Sequence, residues 1–286
     1  MEKKITDLYS DYKREKSNRR AFMKKLALIA GSTSAALTLL PVLEENSLKA
    51  SGSIQNDPDL LTGFIKYPGE TGEVTGFLAR PKAGNKFPAV IIIHENRGLQ
   101  PHIQDVTQRM AKEGFLALAP DGLSPLGGTP EDDPDKAATM IRELDNEKTI
   151  KNFVAAVKYL KTYPLSTGKV GCTGFCWGGG MTNQVAVNTP DLDAAVPYYG
   201  MQPAPEQVQS IKAPILAHYA GDDTRINAGI PAFEEALKKY KKDYQIFIYD
   251  GAQHGFNNDS NPERYNEKAA KLAWTRTIAF FKEKLK

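Results

Sequence analysis

Cysteine is scarce in this chain: Cys172 and Cys176 are the only two among 286 residues. A disulfide framework is therefore not expected. Lys169 to Phe175 reads as a strand, and at about 3.3 Å per residue two positions four apart stand ~10–13 Å apart, beyond the ~7 Å Cα limit of a bridge. Cys172 is then a small buried hydrophobe. Histidine is also sparse, with four, and no His, Cys and acidic residues cluster at metal-ligand spacing, so no metal and no cofactor is inferred. Excess charge of one sign is lacking outside the N-terminus. Residues 1–50 hold ten of the 37 Lys and Arg and six of the 34 Asp and Glu, which leaves the remainder near neutral. Such a balance carries no nucleic-acid footprint. No internal repeat or low-complexity tract is present.

The basic leader runs Ser17-Asn18-Arg19-Arg20-Ala21-Phe22-Met23-Lys24-Lys25, continues without charge from Leu26 to Leu43, and ends at Glu44 and Glu45. It resembles a twin-arginine export signal, because the Arg pair, Phe22 and Met23 stand at the matching offsets before an apolar stretch rich in small residues. That implies a partner in the twin-arginine export machinery and a periplasmic destination. A retained leader would instead anchor the protein at the membrane, since Leu26–Leu43 is close to the shortest span of about 17–25 residues. Gly31, Ser32, Thr33, Ser34 and Pro41 weaken that second reading. Ala50 is the best, though poor, cleavage candidate. The chain thus divides into a leader and linker over 1–50 and one catalytic domain over 51–286.

Beyond residue 50, short apolar runs alternate with amphipathic stretches, which predicts an α/β fold with a mostly parallel sheet and helices on both faces. Eight strands are expected near 62–66, 74–79, 88–95, 115–120, 169–175, 194–199, 214–220 and 244–250. Ala89-Val90-Ile91-Ile92-Ile93 is continuously apolar, as a strand buried on both sides requires. Helical periodicity falls near 103–113, 137–162, 178–188, 230–242 and 264–284. The Gly-, Pro- and Asp-rich segment 122–134 reads as a loop over the C-terminal edge of the sheet, where open α/β folds place ligands, or equally as a solvated connector.

The strongest chemical signal is Gly174-Phe175-Cys176-Trp177-Gly178-Gly179-Gly180, set between a strand and a helix. It has the nucleophile-elbow pattern of the α/β-hydrolase fold, with Cys in place of Ser. The helix N-terminus is expected to favour a thiolate and a developing oxyanion, with the Trp177 N–H as one donor. A phosphate or dinucleotide cradle is disfavoured, because no Lys-Ser/Thr or Gly-x-Gly-x-x-Gly follows. In this fold an acid and then a His follow the nucleophile. Asp222 and Asp223 follow one predicted strand and His254 follows the next. Asp223 is preferred because Ile226-Asn227 stands at the customary offset, which leaves Asp222 as a turn residue. Among the other histidines, His94 precedes a different loop, His102 lies in an amphipathic region, and His218 sits inside an apolar strand as a core residue would.

Cys176, Asp223 and His254, taken with His94-Glu95-Asn96-Arg97-Gly98-Leu99 and Asp223-Thr224-Arg225-Ile226-Asn227, resemble the dienelactone hydrolase family over roughly residues 60–286. The resemblance implies a carboxymethylenebutenolidase-type reaction on a small-molecule ester or lactone, in which the Cys176 thiolate attacks the carbonyl and water hydrolyses a thioester. It also implies that Glu95 contacts the resting thiol and takes its proton when substrate binds, and that the Asn96 N–H completes an oxyanion hole with Trp177. Independently, a carboxylate at the end of the 89–94 strand would lie in a low-dielectric crevice with a raised pKa, unless it pairs with Arg97. The chain departs from the family where the best-known members anchor the carboxylate of their substrate. Gly255-Phe256-Asn257-Asn258-Asp259 brings no Arg directly after the His, and Lys136 and Arg142 lack a well-placed Tyr. Arg97 and Arg225 are the candidate replacements. Two other readings stay open: a general esterase or thioesterase, and a non-catalytic thiol-redox or binding protein, against which the complete nucleophile, acid and base order argues. The oligomeric state is not legible.

Overall fold

The computed structural model describes residues 57–130 and 132–286, and within the N-terminal segment Ile5, Leu8, residues 19–33, Ala35, Ala36 and Leu39. Helix α1 (Arg19–Ala30) begins at the arginine pair. Leu26–Leu43 is described only in part, and Ala50 lies outside the described residues. No helix among the described residues is long and apolar enough to cross a membrane.

Eight strands form one sheet: β1 (Leu60–Gly69), β2 (Gly72–Pro81), β3 (Phe87–Ile93), β4 (Leu116–Pro120), β5 (Ser166–Phe175), β6 (Ala194–Tyr198), β7 (Ile215–Ala220) and β8 (Tyr244–Tyr249), in the spatial order β1-β2-β4-β3-β5-β6-β7-β8. The β1–β2 and β2–β4 pairs are antiparallel, and every later pair is parallel. The first two strands extend further than their apolar cores suggested, because Gly69 and Gly72 close a tight hairpin that keeps the ladder paired to its end. Strands β3 and β4 are buried throughout or nearly so, since a parallel sheet covered on both sides leaves no wet face.

The covering helices are α2 (Pro101–Lys112), α3 (Pro134–Glu143), α4 (Asn146–Lys161), α5 (Trp177–Asn188), α6 (Thr224–Asn227), α7 (Ile230–Lys239) and α8 (Glu267–Lys284). One apolar core joins the sheet to α4, α5 and α7, and a second joins its other face to α2 and α8. The single helix expected over 137–162 is two. Leu144 turns to extended backbone, and Asp145 caps the new helix by accepting from the Lys148 N–H. Chain order reverses between β3 and β5, so their C-terminal ends open the crevice in which an α/β sheet binds ligands.

Candidate active site

Cys176 sits between the end of β5 and the first residue of α5, with φ 57° and ψ −115°. That left-handed φ is costly for a residue with a side chain, and the surroundings hold it. Its N–H donates to the Tyr198 carbonyl at 3.1 Å, and its own carbonyl accepts from the Gly180 N–H at 3.1 Å. A Cβ at Gly178 would collide with the carbonyl oxygens of Ile93 and His94, so only glycine lets α5 start this close to β3. The turn lifts the Cys176 sulfur over the sheet edge. Cys172, four residues earlier, is buried on the strand, Cys176 is only partly buried, and both thiols are free.

His254 follows β8 in a turn that uses positive φ at Gly251 and Gly255. Its Nδ1 lies 2.5 Å from Asp223 Oδ2 and its Nε2 lies 3.0 Å from Cys176 Sγ. A carboxylate can only accept, so Nδ1 carries the hydrogen and Nε2 is left as the acceptor facing the thiol. Asp223 is buried, and its second oxygen caps α6 by accepting from the Ile226 N–H at 3.3 Å. The cap fixes the carboxylate in rotation. Asp222 is exposed and bonds through its backbone to the Ala252 carbonyl, which makes it the turn residue of the pair.

Burial above all, then the negative charge of Glu95, pushes the Cys176 thiol up to about 11, against the opposing pull of the Trp177 N–H and Arg225. Burial thus works against the thiolate expected at the helix N-terminus. One backbone donor and a partial helix charge do not outweigh loss of water around the sulfur.

Glu95 is half-buried, and its Oε2 accepts from Asn258 Nδ2 at 2.8 Å. The hydrogen bond of the Cys176 sulfur runs to His254 instead. Arg97, the alternative partner for Glu95, pairs with Asp135 at 3.6 Å, and both side chains are exposed. The turn bearing Glu95, Asn96 and Arg97 is built from beneath. Buried Asp121 accepts from the Thr129 N–H and hydroxyl, each at 2.7 Å, and Thr129 Oγ1 accepts from the Leu99 N–H at 2.8 Å. Within the 122–134 segment, Gly122 and Thr129 thus brace that turn. Buried His94 completes it: Nε2 accepts from the Gly122 N–H, Nδ1–H donates to the Glu95 carbonyl, and the ring stacks on Trp177. Burial lowers the pKa of His94, which keeps it neutral for this role.

Four residues escaped sequence reasoning. Tyr199 is buried with φ 35°, and its ring centroid lies 5.1 Å from that of His254. Asn258 holds Glu95. Asp259 accepts from Arg109 at 2.6 Å and lies 3.2 Å from His102 Nδ1, so the loop after His254 is tied to α2. His102 lines the groove beside Glu95. The polar run Asn257-Asn258-Asp259, three residues beyond the His, was the available signal for two of them. His218 is a satisfied core residue, bonded to Thr277 and Tyr249, and burial pushes it down to about 3.

Two clefts open on Cys176 and His254, and Asn96 borders both. Arg225 lines one and Arg97 the other, so both arginines stand at the active edge. Among the described residues no group of three or more His, Cys, Asp or Glu is placed to hold a metal ion.

Comparison with known proteins places the chain in a family. Residues 74–285 match the profile of the dienelactone hydrolase family. A candidate carboxymethylenebutenolidase of Saccharolobus solfataricus is 34% identical over 255 residues, covering 76% of this chain and 97% of that relative. Protein usf of Aquifex pyrophilus is 38% identical over 230 residues, covering 78% of this chain and 98% of that relative. The crystal structure of a candidate dienelactone hydrolase from Klebsiella pneumoniae superposes with a TM-score of 0.69 at 27% identity, covering 78% of this chain and 98% of that one. With the α/β-hydrolase sheet, the elbow and these relatives together, the chain belongs to the dienelactone hydrolase family and is an ester-cleaving hydrolase.

Proposed function

We propose that the protein hydrolyses a carboxylic ester or lactone by nucleophilic catalysis at Cys176. The observation that carries this reading is the continuous chain from Cys176 Sγ through His254 to Asp223, with spacings of 3.0 and 2.5 Å. As the sulfur attacks the carbonyl carbon, His254 Nε2 takes the thiol proton, and Asp223 holds the imidazole tautomer and the charge that forms. The Trp177 and Asn96 N–H groups receive the oxyanion. Collapse expels the leaving oxygen, which takes the proton back from His254, and leaves a thioester on Cys176. Water then attacks with His254 as base, and the acid and the thiol are released.

Glu95 has a different weight in this scheme from that implied by the family resemblance. Its carboxylate is engaged by Asn258, so His254 is the acceptor in place for the thiol proton, while Glu95 acts through its charge to keep the resting sulfur protonated. Such a thiol suits an enzyme that waits for substrate and does not suit a peroxide sensor, which needs an exposed, low-pKa cysteine. Arg225 is assigned to substrate anions and to the charge developing near Cys176, and Arg97 to the polar groove. The leader over 1–50 is read as a twin-arginine signal that sends the folded 51–286 domain to the periplasm.

The test is a panel of esters and lactones with the leaderless protein. Cys176→Ala and His254→Ala should each remove most turnover without unfolding the chain. The double variant should be no worse than either, because the two groups act as one unit. Mass spectrometry of protein quenched during turnover of a slow ester should find the acyl group on Cys176. Wild-type rates in Cys176→Ala, with no adduct on any substrate, would refute the assignment.

A further inference from the structure

The two clefts that meet at Cys176 and His254 differ in their walls, both mixed in polarity but only the second carrying a carboxylate. One, of about 550 Å³, has an apolar wall of Ile150, Trp177, Met181, Met201 and Ile226, edged by neutral amides such as Gln184 and by Arg225. No carboxylate lines it, and Met201 is left 51% exposed at its side. The other, of about 880 Å³, is lined by Glu95, Arg97, His102, Asn258 and Arg264, among others. Arg225, the one Lys or Arg of the first wall, also borders the depression beside Asp223 and Arg264, which places it at the rim of the apolar cleft.

A small, doubly polar lactone seated on Cys176 would leave the Met181 wall facing water. A substrate with a carbon chain would cover it and gain the transfer free energy of each buried methylene. We propose that the substrates are esters with one apolar arm of medium length, which lies in the Trp177–Met181 cleft while the polar remainder lies along the Glu95 groove. The proposal rests on the hydrolase reading above and adds the substrate class.

Gly180 supplies the means of testing it. It lines the cleft, its φ is not in the left-handed region, and a Cβ added there would approach nothing closer than Met201 atoms at 3.6 Å. Gly180→Leu therefore narrows the cleft, with Gly180→Ala as the gentler form, and Met181→Ala widens it.

The experiment measures kcat/KM over two series, p-nitrophenyl esters with acyl chains from acetyl to decanoyl and acetate esters of the matching 1-alkanols. In one series the wild type should rise about threefold to fourfold per methylene until the cleft is filled. Gly180→Leu should lower the six-carbon to two-carbon ratio within that series by about tenfold or more, and Met181→Ala should move the optimum to a longer chain. Flat or falling profiles in both series overturn the proposal while leaving the hydrolase intact. A rising wild-type profile that neither the Gly180 nor the Met181 variants alter also overturns it, because the selectivity would then lie elsewhere. No turnover of any ester would remove the hydrolase reading, and this inference with it.

Discussion

At Cys176 two effects of known sign compete, and the structure decides between them. Burial and the Glu95 carboxylate raise the thiol to about 11, so at pH 7 the thiolate is roughly one part in ten thousand, against about 3% for an ordinary thiol. The fractional deficit is about 300-fold, but a more basic thiolate is also a better nucleophile, with a Brønsted slope of ~0.4–0.5. Alkylation of Cys176 by iodoacetamide at pH 7 should then be roughly 20-fold slower than that of a free cysteine, and should climb about tenfold per pH unit up to pH 10. Peptide mass spectrometry separates it from Cys172, which burial pushes higher still, to about 12. Glu95→Gln removes a raising charge and should speed the pH 7 rate several-fold; Arg225→Ala removes a lowering charge and should slow it. The same shift has a stability consequence of fixed sign. A folded-state pKa above that of the unfolded thiol contributes stability that is complete below about pH 8.5 and is lost as pH rises toward 11, so the urea midpoint of wild type should fall over that window more than that of Cys176→Ala. An alkylation inflection below pH 8 would refute the reasoning, since the proton would already have left the sulfur in the resting enzyme.

Asp223→Asn should lower kcat by a factor of at least about 10³, while Asp222→Asn should change it less than about threefold, because only Asp223 reaches His254 Nδ1; steady-state kinetics on one ester decide it. Arg19→Lys together with Arg20→Lys should leave active, folded enzyme in the cytoplasm, read by fractionation and esterase assay, and normal periplasmic accumulation would end the twin-arginine reading.

Parallel interior strands such as Ala89–Ile93 were legible because burial on both faces removes polar alternation, and the elbow was legible because its backbone demands glycine at positions adjacent in sequence. The order Cys176, Asp223, His254 was legible for a related reason: each residue follows a strand that the sheet itself aims at one edge. Asp223 rather than Asp222 stands against His254 because the Thr224–Asn227 helix needs a cap, and a capping aspartate turns its other oxygen toward His254. What the sequence concealed depends on distances through space. His102 looked like one residue of an amphipathic helix, and only the return of the 254–266 loop onto α2 shows that Asp259 meets it and Arg109. Asn258 gave no periodic signal, yet its amide decides which carboxylate oxygen of Glu95 is occupied and leaves the thiol to His254. The opposition to a thiolate was hidden for the same reason. The helix N-terminus that favours it is local and readable, whereas the packing of the elbow against β3 and β6 that removes water from the sulfur belongs to the folded sheet. At this site desolvation, a property of the whole fold, outweighs the local electrostatics that the motif displays. On the mechanism proposed above, the protein holds Cys176 in reserve as a thiol beside a His254 ring already placed to receive the proton.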